Sequence, residues 1–253
     1  QAGYLWMDDS LGLILNKLDE LKLAQNTIVL FVADHGSGHK GSLYTAKGTE
    51  VPCIMRWPAG MKAGVRSEEL IQNTDFVPTW FELAGVKKPA AYRMDGVSLA
   101  PLFQAPHEPV REYVYGEIGA ARSIKTKTHS YIALRYTREQ VAGVQERQRR
   151  ELKALTGLSG GVSRSIATHP HAYTGDQLYD LNRDPDAQKN LADQKRHAGT
   201  LTQMKQKLAA ELKRFPARPY GEFVPGGNAL AGGGYDTVFK TLRQAAVDKK
   251  PKK

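Results

Sequence analysis

Thr27-Ile28-Val29-Leu30-Phe31-Val32-Ala33-Asp34-His35-Gly36 is the stretch on which the fold turns. Apolar and β-branched residues run without alternation and then stop at an acid, an imidazole and a glycine. A continuous run of this kind reads as a strand covered on both faces, and therefore as a parallel one. Its carboxyl end, where polarity returns, is the edge at which open α/β sheets bind ligands.

Upstream, Leu11, Ile14, Leu15, Leu18 and Leu21 recur at three- and four-residue spacing, which predicts an amphipathic helix over residues 7–23. Asp8 and Asp9 then fall at its start, where the helix dipole favours acids. Downstream, a glycine-rich polar loop runs to Glu50, a short strand over 51–57 ends at Pro58, and another short strand is expected at 68–72. Asp75 is the expected N-cap of a helix reaching Ala84, with Gly85 just past its end. Strands alternating with helices argue for a layered α/β domain.

The texture changes beyond about residue 101. Short alternating pieces at 113–118, 130–135 and 176–181 predict strands of a small antiparallel sheet. A helix is expected over 201–215, and the proline- and glycine-rich segment 216–235 reads as loop. The strongly charged stretch 138–153 reads as an exposed helix or an insertion. The predicted organisation is a first part, residues 1–105, and a smaller C-terminal subdomain, residues 106–253.

The 253 residues are 41% hydrophobic and 25% charged, ordinary values for a chain that buries a core. No apolar run approaches the roughly 20 residues that cross a bilayer. The single cysteine, Cys53, rules out an intrachain disulfide and a cysteine-based metal cluster, and its apolar flanks read as strand. A net charge of +10 favours acidic partners: sulfated or carboxylated glycans, nucleic acid or anionic membrane surfaces. Part of that charge lies in the lysine-rich tail. After Tyr136 the charged stretch 138–153 has no aromatic residue, so it lacks the interleaved aromatics of a nucleic-acid surface.

At residue level, Asp34 and His35 allow two readings. They either hold a divalent cation together, although histidine is an unusual ligand for a hard ion, or they start a turn. Next in the chain come Gly38-His39-Lys40-Gly41-Ser42-Leu43-Tyr44 and Val51-Pro52-Cys53-Ile54-Met55-Arg56-Trp57-Pro58. Further along stand Glu69-Leu70-Ile71-Gln72-Asn73-Thr74-Asp75-Phe76-Val77-Pro78-Thr79 and Asp95-Gly96-Val97-Ser98-Leu99-Ala100-Pro101-Leu102-Phe103. Last are Gln177-Leu178-Tyr179-Asp180-Leu181, Asp184-Pro185 and Asn190-Leu191-Ala192.

In order and spacing these segments resemble the sulfatase family of the alkaline-phosphatase superfamily, in its C-terminal portion. The resemblance implies a layered alkaline-phosphatase-like α/β sheet, joined to a smaller C-terminal antiparallel-sheet subdomain. It implies that Asp34 and His35 are the second ligand pair of one divalent ion, usually calcium, with zinc or magnesium less expected. Lys40 becomes the sulfate-binding lysine. His39 is a candidate substrate contact, and Lys47 the fallback, because the loop Thr45-Ala46-Lys47-Gly48-Thr49-Glu50 is one residue longer than the family pattern.

That family attacks sulfur with a formylglycine made within Cys/Ser-x-Pro/Ala-x-Arg. Cys53 lies in Pro52-Cys53-Ile54-Met55-Arg56 and does not match, nor does any other segment. The resemblance therefore places the nucleophile, and the first aspartate pair, before residue 1, with a chain inactive alone. The expected substrate is a sulfated small molecule or sulfated glycan, and the family's habit is periplasmic or secreted. Two other classes stay open. One is a phosphodiesterase, phosphatase or phosphonate hydrolase of the same superfamily, since Asp-His also ends this strand in two-zinc phosphatases. The other is a non-catalytic basic domain that binds polyanions.

Overall fold

The computed structural model describes residues 2–36, 42–44, 46–135, 167–215 and 244, with the side chains of 46 and 47 excepted. The expected insertion at 138–153 and the loop at 216–235 lie outside the described residues. The chain divides into two compact units. Gln1–Ala33 with Pro52–Arg111 form the first, and Asp34–Val51 with Glu112–Lys253 the second. The second unit thus includes the loop after the apolar strand, which a single cut near residue 105 leaves in the first part.

In the first unit, helix α1 spans Ala2–Glu20. Leu11, Leu15 and Leu18 are partly covered, whereas Tyr4, Leu5, Trp6, Leu13 and Ile14 are exposed. The helix begins five residues earlier than its periodicity suggests, so Asp8 and Asp9 lie beyond the first turn and are exposed. The dipole therefore does not account for them. At its end Lys22 adopts a left-handed φ of 57°, and Leu23 N–H donates to the Leu18 carbonyl, the wide closure of a Schellman motif.

Strand β1 (Val29–Val32) pairs with β2 (Cys53–Arg56), and the pairing is antiparallel, with Val29 opposite Arg56 and Val32 opposite Cys53. The parallel expectation is corrected here. An apolar run reports that both faces favour cover, but the connection sets the direction of the neighbour. Here that neighbour is the strand returning from the loop. Val32 is 37% and Ile54 63% exposed, so the apolar faces are only partly covered in this chain. No strand forms at 68–72. The backbone N–H of Gln72 donates to the Asp75 carboxylate and not to a neighbouring strand.

Helix α2 is the single turn Ala46–Thr49, and helix α3 (Phe76–Leu83) succeeds a 3-10 turn, Asn73–Asp75. It ends as predicted: Gly85 takes φ +64° and Val86 N–H reaches the Phe81 carbonyl. Asp75, however, does not cap it through its side chain. Its carboxylate turns back to Gln72 N–H at 2.7 Å, takes Val97 N–H at 3.0 Å and pairs with Arg111. Thr79 Oγ1 accepts from Leu99 N–H at 2.8 Å, fixing the start of helix α4 (Ala100–Gln104). Gly96 is needed where this segment crosses the 3-10 turn, because a Cβ there would lie 2.1 Å from the Thr74 carbonyl oxygen.

The second unit holds a four-stranded antiparallel sheet in the order β3 (Val114–Ile118), β4 (Ala121–Lys125), β5 (His129–Leu134), β6 (Asp176–Asp180). Three of these strands are the predicted ones. Strand β4 is additional, joined to β3 by the two-residue turn Gly119-Ala120, with Gly119 at φ +54°. Helix α5 (Ala198–Leu212) lays Met204, Leu208 and Leu212 on Ile124, Tyr131, Ala133 and Leu178. Asn190 extends the sheet edge with its side chain. It accepts from Leu178 and Ala192 N–H groups and donates to the Asp176 carbonyl.

Asp176, at the start of β6, accepts from Tyr131 Oη, from Arg135 Nη2 (both 2.8 Å) and from Lys205 Nζ at 2.5 Å. Burial alone would raise its carboxyl, but Arg135, Lys205 and Tyr131 outweigh that and hold it below the usual range. A depressed folded value means stability that is present above the unfolded pKa of about 3.9 and is lost as pH falls through the folded one. We expect Asp176→Asn to cost about 2 kcal/mol at neutral pH. The gap from the wild type should narrow below pH ~4, where the wild-type carboxyl itself becomes neutral. Urea titrations at pH 7 and pH 3 measure both; a gap that stays constant across that range contradicts the account.

Candidate active site

β1 ends at Val32, and from Asp34 onward the loop belongs to the second unit. Asp34 and His35 carry adjacent side chains: His35 Nε2 lies 3.4 Å from Asp34 Oδ2. On the other side of the ring, Nδ1 is 2.9 Å from the Gly36 carbonyl oxygen. A carbonyl oxygen only accepts, so Nδ1 carries a proton and Nε2 is the ring nitrogen that faces the carboxylate. The backbone thus orients the ring, as metal-ligating histidines commonly require.

The donor pair suits a divalent cation. A carboxylate oxygen and an imidazole nitrogen 3.4 Å apart are close enough to share one ion at ligand distances of about 2.0–2.6 Å. Asp34 is 83% exposed, so its carboxylate is free to accept an ion. Among the described residues no group of three or more His, Cys, Asp or Glu side chains gathers in metal-binding fashion. Among the described residues the pair alone does not make a complete metal site.

Lys40 and His39 lie outside the described residues. Lys47 falls in helix α2 (Ala46–Thr49), and its side chain is likewise not described. The segment just beyond Lys40 is firmly anchored. Ser42 is fully buried, and Tyr44 is 2% exposed, with its hydroxyl donating to the Ala172 carbonyl at 2.7 Å. Its ring meets that of His169 edge-on, centroids 5.7 Å apart. Burial pushes the Tyr44 phenol far above its ordinary pKa, so the hydroxyl remains a donor. Glu50, at the loop's far end, pairs with Lys125 of β4.

In sequence Tyr44 reads only as one letter of a motif, and its anchoring role goes unnoticed. An aromatic close to a small residue in a polar loop is the available signal. Cys53, in β2, is half-buried, and burial raises its thiol, in keeping with a packing residue rather than a reactive one.

The family model described as "Sulfatase" matches residues 2–86. An ulvan-active sulfatase of Formosa agariphila is 35% identical over 188 residues, covering 70% of this chain and 35% of that protein. Human steryl-sulfatase is 34% identical over 140 residues, covering 46% of this chain and 24% of its own length. A solved structure described as a complex with its substrate D-glucosamine-2-N,6-O-disulfate superposes with a TM-score of 0.63 at 22% identity. It covers 85% of this chain and 40% of that one. The chain spans about a quarter to a third of the length of these curated relatives. Its fold is the α/β fold of the sulfatases, alkaline-phosphatase-like, and the chain belongs to the sulfatase family.

Proposed function

We propose that this chain is the part of a sulfate-ester hydrolase that carries one pair of cation ligands, Asp34 and His35, and the sulfate-binding lysine, Lys40. The observation that carries the reading is the 3.4 Å approach of His35 Nε2 to Asp34 Oδ2 with Nδ1 committed to the Gly36 carbonyl. When bound, the cation, calcium in this reading, neutralises sulfate oxygens and favours attack at sulfur. Asp34 supplies the hard oxygen ligand and His35 the oriented nitrogen. The Lys40 ammonium balances charge on the ester and screens or protonates the departing alkoxide. The nucleophile is a formylglycine contributed from outside residues 1–253, since no Cys/Ser-x-Pro/Ala-x-Arg segment occurs within them.

The substrate class we propose is a sulfated glycan. The net charge of +10 favours a polyanion. Relatives include the ulvan-active sulfatase and an N-acetylglucosamine-6-O-sulfatase of Bacteroides thetaiotaomicron, 31% identical over 137 residues. Periplasmic or secreted placement belongs to the same reading. No helix among the described residues is long and apolar enough to cross a membrane. The second reading, a two-zinc phosphatase or phosphodiesterase, is favoured by His35, since nitrogen ligands suit zinc.

One pair of measurements on the full-length enzyme separates them. Elemental analysis should give one calcium per chain, and glucosamine-6-O-sulfate should be hydrolysed at least about a hundredfold faster than the matching phosphate ester. Two zinc ions with the preference reversed would replace the sulfatase reading by the phosphatase one.

A further inference from the structure

The loop that carries the site departs from the first unit and returns to it, yet it packs with the second. Its buried tie is the segment Ser42-Leu43-Tyr44. Ser42 is fully enclosed, and its Oγ accepts from Tyr44 N–H at 3.3 Å, closing a local turn. Tyr44 Oη donates to the carbonyl of Ala172, 128 residues away in sequence. Ala172 is itself completely buried and sits in a turn fixed by its N–H to the His169 carbonyl. Gln177 of β6 holds the same turn from the other side, donating to the Thr174 carbonyl at 2.8 Å. Leu43 lies against Gly116 of β3, where an added Cβ would stand 2.9 Å from Leu43 Cδ2. A buried phenol that donates to a backbone carbonyl and also meets the Gln177 side chain, beside a glycine that makes room for its neighbour, is a device for fixing a backbone position.

We infer that Tyr44 is a positioning residue: it pins the loop bearing Asp34, His35 and Lys40 to the β3–β6 unit, so that this C-terminal unit sets the geometry of the reaction site. The inference rests on the sulfatase reading for what the loop carries, but the anchor itself does not. Lys40 stands four residues before Tyr44, and the cation pair nine and ten residues before it. A site must hold its groups within about 0.5 Å of the productive arrangement, which exposed loops seldom achieve without support. The buried hydroxyl provides that support without touching substrate.

The test compares Tyr44→Phe with Tyr131→Phe in the full-length protein. Tyr131 is an equally buried phenol of β5 whose hydroxyl donates to the Asp176 carboxylate. Hydrogen exchange read by mass spectrometry should show residues 36–44 exchanging at least about tenfold faster in Tyr44→Phe, with β4 to β6 keeping wild-type protection. Tyr131→Phe should leave 36–44 unchanged. With glucosamine-6-O-sulfate as probe, kcat should fall about tenfold or more in Tyr44→Phe at little change in KM, and should hold in Tyr131→Phe. Should Tyr44→Phe fail to fold, Gly116→Ala, which displaces Leu43 and spares the hydroxyl, should reproduce the same exchange pattern.

Unchanged exchange at 36–44, protection lost equally throughout the unit, or equal kcat losses in both tyrosine variants would overturn the inference. If the wild type hydrolyses no sulfate ester, the sulfatase reading fails while the exchange pattern still decides whether Tyr44 is the anchor.

Discussion

On the proposed function, Asp34→Ala in the full-length protein should abolish sulfate-ester turnover and lower its content of bound cation, while leaving the fold intact. The two halves of this expectation come from different observations. The carboxylate is 83% exposed and, among the described residues, meets only the His35 ring. It is thus not part of any buried network whose loss would unfold the chain, and surface substitutions of that kind change stability by less than about 0.5 kcal/mol. Its chemical role is the larger matter. A carboxylate is the hard oxygen donor of the pair, and without it one imidazole nitrogen is a poor hold on calcium. Losing the cation removes the charge that neutralises the sulfate oxygens, an effect of several kcal/mol on the barrier, or a factor of about 10³ or more in rate. Elemental analysis after dialysis, turnover of glucosamine-6-O-sulfate and a thermal melt of the same preparation test all three statements. Full metal occupancy with wild-type turnover would remove Asp34 from the site.

The approach of Asp34 to His35 is legible in sequence because its signal is local. An apolar strand ends at an acid and an imidazole, and both come from consecutive residues whose proximity the chain enforces. The direction of β1 is not legible, since apolar patterning is the same for a parallel and an antiparallel neighbour. Strand β4 escapes notice because its hairpin turns on Gly119-Ala120, without the Asn-Gly or Asp-Gly pair that usually announces such a turn. Several of the motifs prove to be architecture. Asn190 completes the edge of β6, and Asp184 accepts from Gln188 and Lys189 N–H groups to close the turn that leads to it. Tyr44 is visible as a letter in a motif. Its partner, Ala172, is 128 residues away, and no local pattern encodes a bond to a backbone carbonyl at that distance.

The largest stability effect in the first unit is hidden from sequence in the same way. Asp75 reads there as a helix cap, and a lost cap costs only about 1 kcal/mol. In the structure it is a fully buried carboxylate that joins three separated pieces of chain: Gln72 N–H, Val97 N–H and the Arg111 guanidinium, itself 11% exposed. Arg111 also donates to the Gln72 side chain at 2.6 Å, so the cation is held at two points of the same turn. Asp75→Ala would leave two amide groups without their acceptor and the enclosed guanidinium without its counter-charge, held only by the neutral Gln72 side chain. Breaking one side of such a pair typically costs about 3–5 kcal/mol, a large share of the roughly 5–15 kcal/mol that stabilises a domain. Asp75→Asn keeps one acceptor oxygen and should lose less. Because the penalty is mostly the stranded charge, adding Arg111→Met to Asp75→Ala should recover part of it rather than deepen the loss. Urea midpoints of the wild type, the two single variants at Asp75 and the double variant test each statement. A loss under about 1 kcal/mol for Asp75→Ala would return the residue to the role of a simple cap. A double variant weaker than Asp75→Ala alone would show that the guanidinium has favourable contacts independent of the carboxylate.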